Sequence, residues 1–435
     1  MKKINTEYVN VIGGGLAGCE AAYQIARKGI KVNLFEMKPI KFSPAHSNSD
    51  LAEIVCSNSF KSNLITNACG LLKEELRMLD SLLIKIADSV SVPAGQALAV
   101  DRELFSKKVT EYIENDSNIK VINKEVIEIP ENEISIIATG PLTTDLLFKN
   151  ISTLIGNQEL HFYDAAAPII EKESIDMSIA FIGDRYGKGN DDYINLPMNK
   201  EEYELFWNEL VNAEIVNLHD FEKREIFEGC MPIEVMAKRG IDTLRYGPLK
   251  PVGFDDPRTG RRPYAIVQLR QDNAAGSLYN MVGFQTNLKY GEQKRVFSLI
   301  PGLQHAEFAK YGVMHRNTFI NSTKILNSTF QMKNTDNIFF AGQITGVEGY
   351  VESIASGLVA GKNVVNYIKG NNLITFPENT MIGALANYIS VPNEKFQPMN
   401  ANFGILPSLP CRIKDKQERY KKLSSIALES IKRYI

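Results

Sequence analysis

The pattern of apolar and polar positions changes along the chain between short strand-like runs and helical spacing. Tyr8, Val9, Asn10, Val11 and Ile12 form a short β-branched run, a glycine cluster follows, and residues 20–27 carry apolar positions at helical spacing up to a stop at Gly29. Residues 31–35 form a second apolar run that ends at Glu36. The order is strand, glycine turn, helix, strand, acid. At the far end, residues 337–341 read as an apolar strand closing on Gly342 and Gln343. Residues 351–368 then read as a helix rich in small residues (Ala355, Gly357, Ala360, Gly361), which can pack very close to a neighbour. A third strand-to-glycine junction lies at residues 134–139 before Gly140 and Pro141. Between these parts the pattern changes. Residues 255–263 are turn-rich, and residues 265–269 and 279–284 read as strands. The pattern predicts an α/β domain in two pieces, residues 1–165 and 310–435 with a C-terminal helix, interrupted by an α+β domain at residues 166–309.

Composition narrows the class without naming a reaction. The 435 residues are about three times a ~150-residue domain, and 44% hydrophobic with 23% charged residues excludes collagen-like, disordered and disulfide-stapled chains. Forty-nine Lys and Arg against 51 Asp and Glu leave a formal charge of -2, so a nucleic acid would have to be held by a local basic patch. No run of 18 apolar residues occurs and Met1, Lys2 and Lys3 lead straight into a strand, so a cytoplasmic protein with no membrane partner is expected. Five cysteines without a C-x-x-C pair and five scattered histidines predict neither disulfides nor a metal site. Nothing in the pattern fixes an oligomeric state.

Chemistry enters at Gly13, Gly14, Gly15, Leu16, Ala17 and Gly18. In a G-x-G-x-x-G turn the first glycine permits the tight turn, the second lets the backbone approach a pyrophosphate, and the third lets the helix pack on its strand. The helix N-terminus attracts the negative charge. Glu36 is placed to accept hydrogen bonds from ribose hydroxyls, and an acid there argues against a 2′-phosphate. The flanking strand, helix and acid are the context that distinguishes dinucleotide binding from an ordinary glycine turn. Gly342, Gln343 and the start of the long helix would aim a positive dipole end at the N1/C2 carbonyl edge of a reduced flavin, so the two ends together favour FAD. The fold class is therefore α/β, a discontinuous Rossmann-type FAD-binding domain with an inserted α+β domain. The insertion has no second glycine fingerprint, so a nicotinamide donor would bind without its own Rossmann half.

Cys56, in a polar stretch soon after the first βαβ unit, and Cys230, bracketed by Gly229 and Pro232, are candidate reactive thiols. A free cysteine is also a common small buried hydrophobe, which is the reading for Cys19 and Cys69. His315 suits an acid/base, stacking or structural role alike. Lys238, Arg239, Arg258, Arg261 and Arg262, mixed with Tyr246 and Tyr264, form the better nucleic-acid candidate. The basic residues from Arg412 to the C-terminus read as one face of a solvated helix.

Taken together, these stretches resemble the bacterial folate- and FAD-dependent tRNA (uracil-5-)-methyltransferase family over essentially the whole chain. Besides the glycine turn, the resemblance is carried by residues 53–59 around Cys56, 91–95 with 99–102, 163–168, 228–234 around Cys230, 311–319, 342–353 and 397–404. It implies transfer of a one-carbon unit from 5,10-methylenetetrahydrofolate to C5 of an RNA uridine, with FAD as cofactor and NAD(P)H as reductant. The T-loop uridine of tRNA is the implied target, a 23S ribosomal RNA uridine is the alternative, and a wobble-uridine modification flavoprotein is disfavoured by the Cys230 motif. Family roles fall on Cys230, as the nucleophile at C6 of uracil, and on Cys56, as the base that removes the C5 proton. Leu196 stands where many members carry a third cysteine, which touches neither role.

Overall fold

The computed structural model describes residues 5–156, 159–187, 192–216, 231–394 and 396–435, with the backbone alone at 5–6, 159–164, 187 and 314–316. Five parallel strands form the central sheet in the order Ile338–Phe340, Glu133–Ile137, Asn5–Ile12, Lys31–Glu36, Ile119–Asn123. Parallel strands are buried on both faces, which is why a central-sheet strand can be a continuous apolar run such as Ile338, Phe339 and Phe340. The first helix, Leu16–Ala26, is buried along its entire length, packed on the first strand and against the long helix Tyr350–Ile368. That second contact depends on the small residues. A Cβ at Gly357 would lie 2.2 Å from the Ala17 carbonyl oxygen, and one at Gly361 would lie 2.9 Å from that of Ala21.

The inserted unit is an antiparallel six-stranded sheet in the order Phe181–Ile182, Tyr193–Met198, Ala265–Gln271, Leu278–Met281, Ile169–Glu171, Phe308–Lys310. It has a core of its own, built from residues such as Ile170, Leu196, Phe206, Val267, Phe284 and Phe297, separate from the core of the α/β domain. The helix Lys200–Asn212 covers part of it and starts in a capping box between Asn199 and Glu202. An antiparallel ribbon of Glu159–Ala165 and Met314–Ile320 joins the two units. The helix Lys416–Ile431 buries Ser424, Ala427 and Ile431 and leaves Lys416, Lys421 and Lys422 in solvent. Among the described residues no helix is long and apolar enough to cross a membrane, and no cluster of His, Cys, Asp or Glu has metal-binding spacing.

Element ends differ from the periodic pattern where glycine intervenes. The first helix begins at Leu16, four residues ahead of its periodic stretch, because the glycine cluster itself enters the helix. The strand expected over 279–284 ends at Met281, since the chain turns at Gly283 with φ +78°.

Filling the helix contact should be costly. Gly357→Val places a branched side chain against the Ala17 backbone and is expected to lower stability by about 1–3 kcal/mol or more, read as a lower midpoint in thermal unfolding. An unchanged midpoint would mean that the two helices do not depend on this close approach.

Candidate functional site

Two adjoining cavities open at the C-terminal ends of the parallel strands, where α/β sheets place their ligands. The first encloses about 1130 Å³, counting the solvent at its mouth, and is lined by Gly13, Gly14, Gly15, Leu16, Ala17 and Glu36, with Gly342 and Gln343 at its other end. The glycines divide the work. Gly13 has φ +109°, and a Cβ there would meet the Ala138 carbonyl oxygen at 2.5 Å. One at Gly18, which lies beneath the cavity, would sit 1.8 Å from the Gly13 oxygen, and one at Gly14 would strike Leu51 and Glu36. At Gly15 a Cβ would meet nothing within 4 Å. Gly13, Gly14 and Gly18 thus make room for the protein itself, and Gly15 leaves an open cradle at the helix N-terminus, as a dinucleotide pyrophosphate requires.

Glu36 closes this turn from the side. One carboxylate oxygen accepts from the Gly14 amide at 3.0 Å and the other from the Lys38 amide at 2.9 Å, which leaves lone pairs free for ribose hydroxyls. Gly342 has φ +81° and packs on Ala17, while the Gln343 amide donates to Glu348 at 2.7 Å. Residues 139–144 supply the opposite wall, together with Lys38, His46 and Lys124. The junction at Gly140 signalled that wall in the sequence. Lys38, His46 and Lys124 carried no signal, because they converge from separate loops.

The second cavity, about 1230 Å³, shares Val55, Pro141, Leu142, Gln343 and Tyr350 with the first. Cys56 lines it. The amides of Cys56 and Ser57 donate to the Tyr350 phenol oxygen at 2.9 and 3.2 Å, and Cys56 Sγ lies 2.9 Å from the same oxygen. The inserted unit clamps this loop. Arg270 donates to Asn58 Oδ1 at 3.0 Å and to Ser57 Oγ at 2.8 Å, while the Asn58 amide donates to the carbonyls of Val100 and Gln271. Arg102 donates to the carbonyls of Ile54 and Val55 and is paired with Asp272 at 3.0 Å. Those two charges are 14% and 4% exposed. Removing either strands the other, at a cost of about 3–5 kcal/mol, against at most ~1 kcal/mol for a surface pair such as Lys200 with Glu204.

Burial shapes the electrostatics here. Desolvation pushes the Tyr350 phenol well above its ordinary value and pulls Arg270 and Lys310 down, and all three groups also feel Cys56. The other thiols differ. Cys19 donates to the Gly14 carbonyl, and burial drives its pKa far up. Burial pushes Cys69 up to about 11, and Cys411 is exposed.

Cys230 lies outside the described residues. Just beyond it, the Ile233 amide donates to the carbonyl of Gln285, a residue of the second cavity wall. The Glu234 carboxylate accepts from Thr286 and from the Asn287 amide. Lys238, Arg239, Arg261 and Arg262 are exposed, and Arg258 is held by both oxygens of Asp256. These five basic residues line neither cavity. Sequence reasoning did not single out Tyr350, Arg102, Arg270 or Asp272.

Comparison with known proteins adds identity to this geometry. The family described as "Glucose inhibited division protein A" matches residues 8–372. A protein of Acetivibrio thermocellus is 61% identical over 430 residues, covering 99% of both chains, and one of Bacillus pumilus is 60% identical over 427 residues, covering 98% of both. Each is named methylenetetrahydrofolate--tRNA-(uracil-5-)-methyltransferase TrmFO. Two crystal forms of Aquifex aeolicus GidA share the fold at 16% identity, with TM-scores of 0.68 and 0.69, covering 99% of this chain and 74% and 76% of theirs.

The open cradle makes a specific prediction. Gly15→Val adds a side chain that strikes no protein atom but fills the space left for a pyrophosphate. The variant should unfold within about 1 kcal/mol of the parent and yet purify with its flavin largely lost, as read from the visible absorbance per chain. Full flavin occupancy would contradict the assignment.

Proposed function

We infer the reaction from kinship joined to geometry: the chain belongs to the folate- and FAD-dependent tRNA (uracil-5-)-methyltransferase family. It transfers the one-carbon unit of 5,10-methylenetetrahydrofolate to C5 of a uridine in tRNA, the T-loop uridine being the target, with NAD(P)H as the source of reducing equivalents. The observation that carries this reading within the molecule is the position of Cys56 in the cavity that adjoins the dinucleotide cleft. An RNA substrate supports a cytoplasmic site of action.

The residues present fit FAD. The turn from Gly13 to Gly18 would hold its pyrophosphate and Glu36 its ribose, while Gly342, Gln343 and the start of the long helix would receive the flavin end. Bound FAD, once reduced, supplies the reducing equivalent that completes the methyl group. The chain must supply the rest. C5 of uracil is a poor nucleophile until a thiolate adds at C6, a role we give to Cys230. A second group must then take the C5 proton, and Cys56 is the thiol available in the described cavity. Lys238, Arg239, Arg258, Arg261 and Arg262 make the electrostatic footprint for RNA, because a chain of net charge -2 cannot attract a polyanion as a whole.

RNA carrying 5-fluorouridine at the target position separates the two thiols, since fluorine cannot leave as a proton does. Cys56→Ala should still form the covalent RNA adduct while failing to methylate normal RNA, and Cys230→Ala should form none. An adduct that persists in Cys230→Ala and vanishes in Cys56→Ala would reverse the roles. For the basic patch, replacing all five residues by Ala should weaken RNA binding and flatten its dependence on salt. A binding isotherm with the parent's affinity and slope would move the footprint elsewhere.

A further inference from the structure

We propose that Cys56 rests as a thiolate, with Tyr350 donating its phenolic proton to Sγ and Arg270 supplying the buried counter-charge. The proposal deepens the reading above, because a base that removes the C5 proton must itself be deprotonated beforehand.

The direction of the Tyr350 proton follows from counting donors. Among the described residues its oxygen has three polar neighbours: the amides of Cys56 and Ser57 and the Cys56 sulfur. Amides only donate, so these two occupy the oxygen as an acceptor, and the phenol's own hydrogen is left for Sγ. Sulfur is then the acceptor, a role that a thiolate fills far better than a thiol. Burial keeps the phenol protonated, as a donor must be.

Arg270 supplies the second, independent observation. It is 7% exposed, yet its hydrogen-bond partners among the described residues, Asn58 Oδ1 and Ser57 Oγ, are neutral oxygens. Among the described residues no carboxylate pairs with it, whereas the neighbouring Arg102 has Asp272. A buried cation without a partner anion is costly, and of the groups coupled to Arg270 that can carry a negative charge, burial keeps the Tyr193 phenol protonated and Asp272 is already paired with Arg102, which leaves the Cys56 sulfur. The surrounding charges favour the same state. Lys310 is coupled to Cys56 as well as to Arg102, Asp272 and Glu53, and Glu53 is held by Lys38 and by the amides of Ser47 and Asn48. Across the cavity, Glu348 accepts from Gln343, and Glu352 accepts from the Ala401 amide and lies near Lys61. In the reaction, sulfur takes the C5 proton and becomes a thiol. The C–H pair forms the exocyclic double bond as the folate amine departs with its own pair.

The test is the pH dependence of Cys56 alkylation by iodoacetamide in the FAD-loaded protein, read site by site by peptide mass spectrometry. A free thiol has its midpoint near ~8.5. The parent should show a midpoint at least about one unit lower, Tyr350→Phe and Arg270→Gln should each move it up by roughly a unit, and Arg270→Lys should restore part of the shift. Tyr350→Phe keeps the ring and decides the matter alone if Arg270→Gln does not fold. A parent midpoint at the ordinary thiol value, or one unmoved by Tyr350→Phe, overturns the proposal. No RNA or folate is present, so the outcomes separate. An enzyme that methylates RNA with an ordinary Cys56 profile keeps its function and loses this inference, and a low profile without methylation does the reverse.

Discussion

The site depends on how closely the first helix and the long helix approach. Gly357 and Gly361 let the backbones of Leu16–Ala26 and Tyr350–Ile368 meet where any side chain would intervene. One helix comes from the first piece of the domain and the other from the last, so this contact closes a domain that the chain interrupts. Both helices start at the cleft, one at the glycine turn and the other at Tyr350. Their separation fixes the distance between the open space at Gly15 and the Gly342 end of the cleft, and it delivers Tyr350 to Cys56 across 294 positions of sequence.

The inserted unit then acts as a wall with a grip. Its strand Ala265–Gln271 reaches across to the Cys56 loop through Arg270 and Asn58, and Asp272 beyond it fixes Arg102 against the carbonyls that precede Cys56. These are largely buried, charge-assisted contacts, so they position the loop more firmly than the exposed ion pairs on the surface of the molecule. The same buried cations give the site its electrostatic character. One set of residues both places the sulfur and sets the charge around it.

The sequence made the parts with local rules readable. The glycine turn, Glu36 and the small-residue helix each obey a spacing that backbone geometry enforces, and Gly15 differs from Gly13 and Gly18 in the way the fingerprint requires. Local context made Cys56 and Cys230 candidates among five cysteines, and resemblance gave each its role. Tyr350, Arg102, Arg270 and Asp272 were illegible because their meaning arises only when distant segments meet. A tyrosine at the start of a helix and an arginine in an alternating strand look like ordinary residues until the fold sets them beside a thiol. The ends of elements also slipped where glycines entered a helix or turned a strand, since periodicity reports burial and glycine contributes none.

The central claim, that folate carbon reaches uracil C5 through this site, is tested most directly by isotope. The FAD-loaded protein is supplied with 5,10-methylenetetrahydrofolate deuterated at the methylene, NAD(P)H and tRNA lacking the T-loop methyl group, and the nucleosides are analysed by mass spectrometry. The account predicts 5-methyluridine two mass units heavier than normal, with both deuterons kept in the methyl group and the third hydrogen coming from the reductant. Unlabelled 5-methyluridine formed only when S-adenosylmethionine is added, or no 5-methyluridine at all, would contradict it.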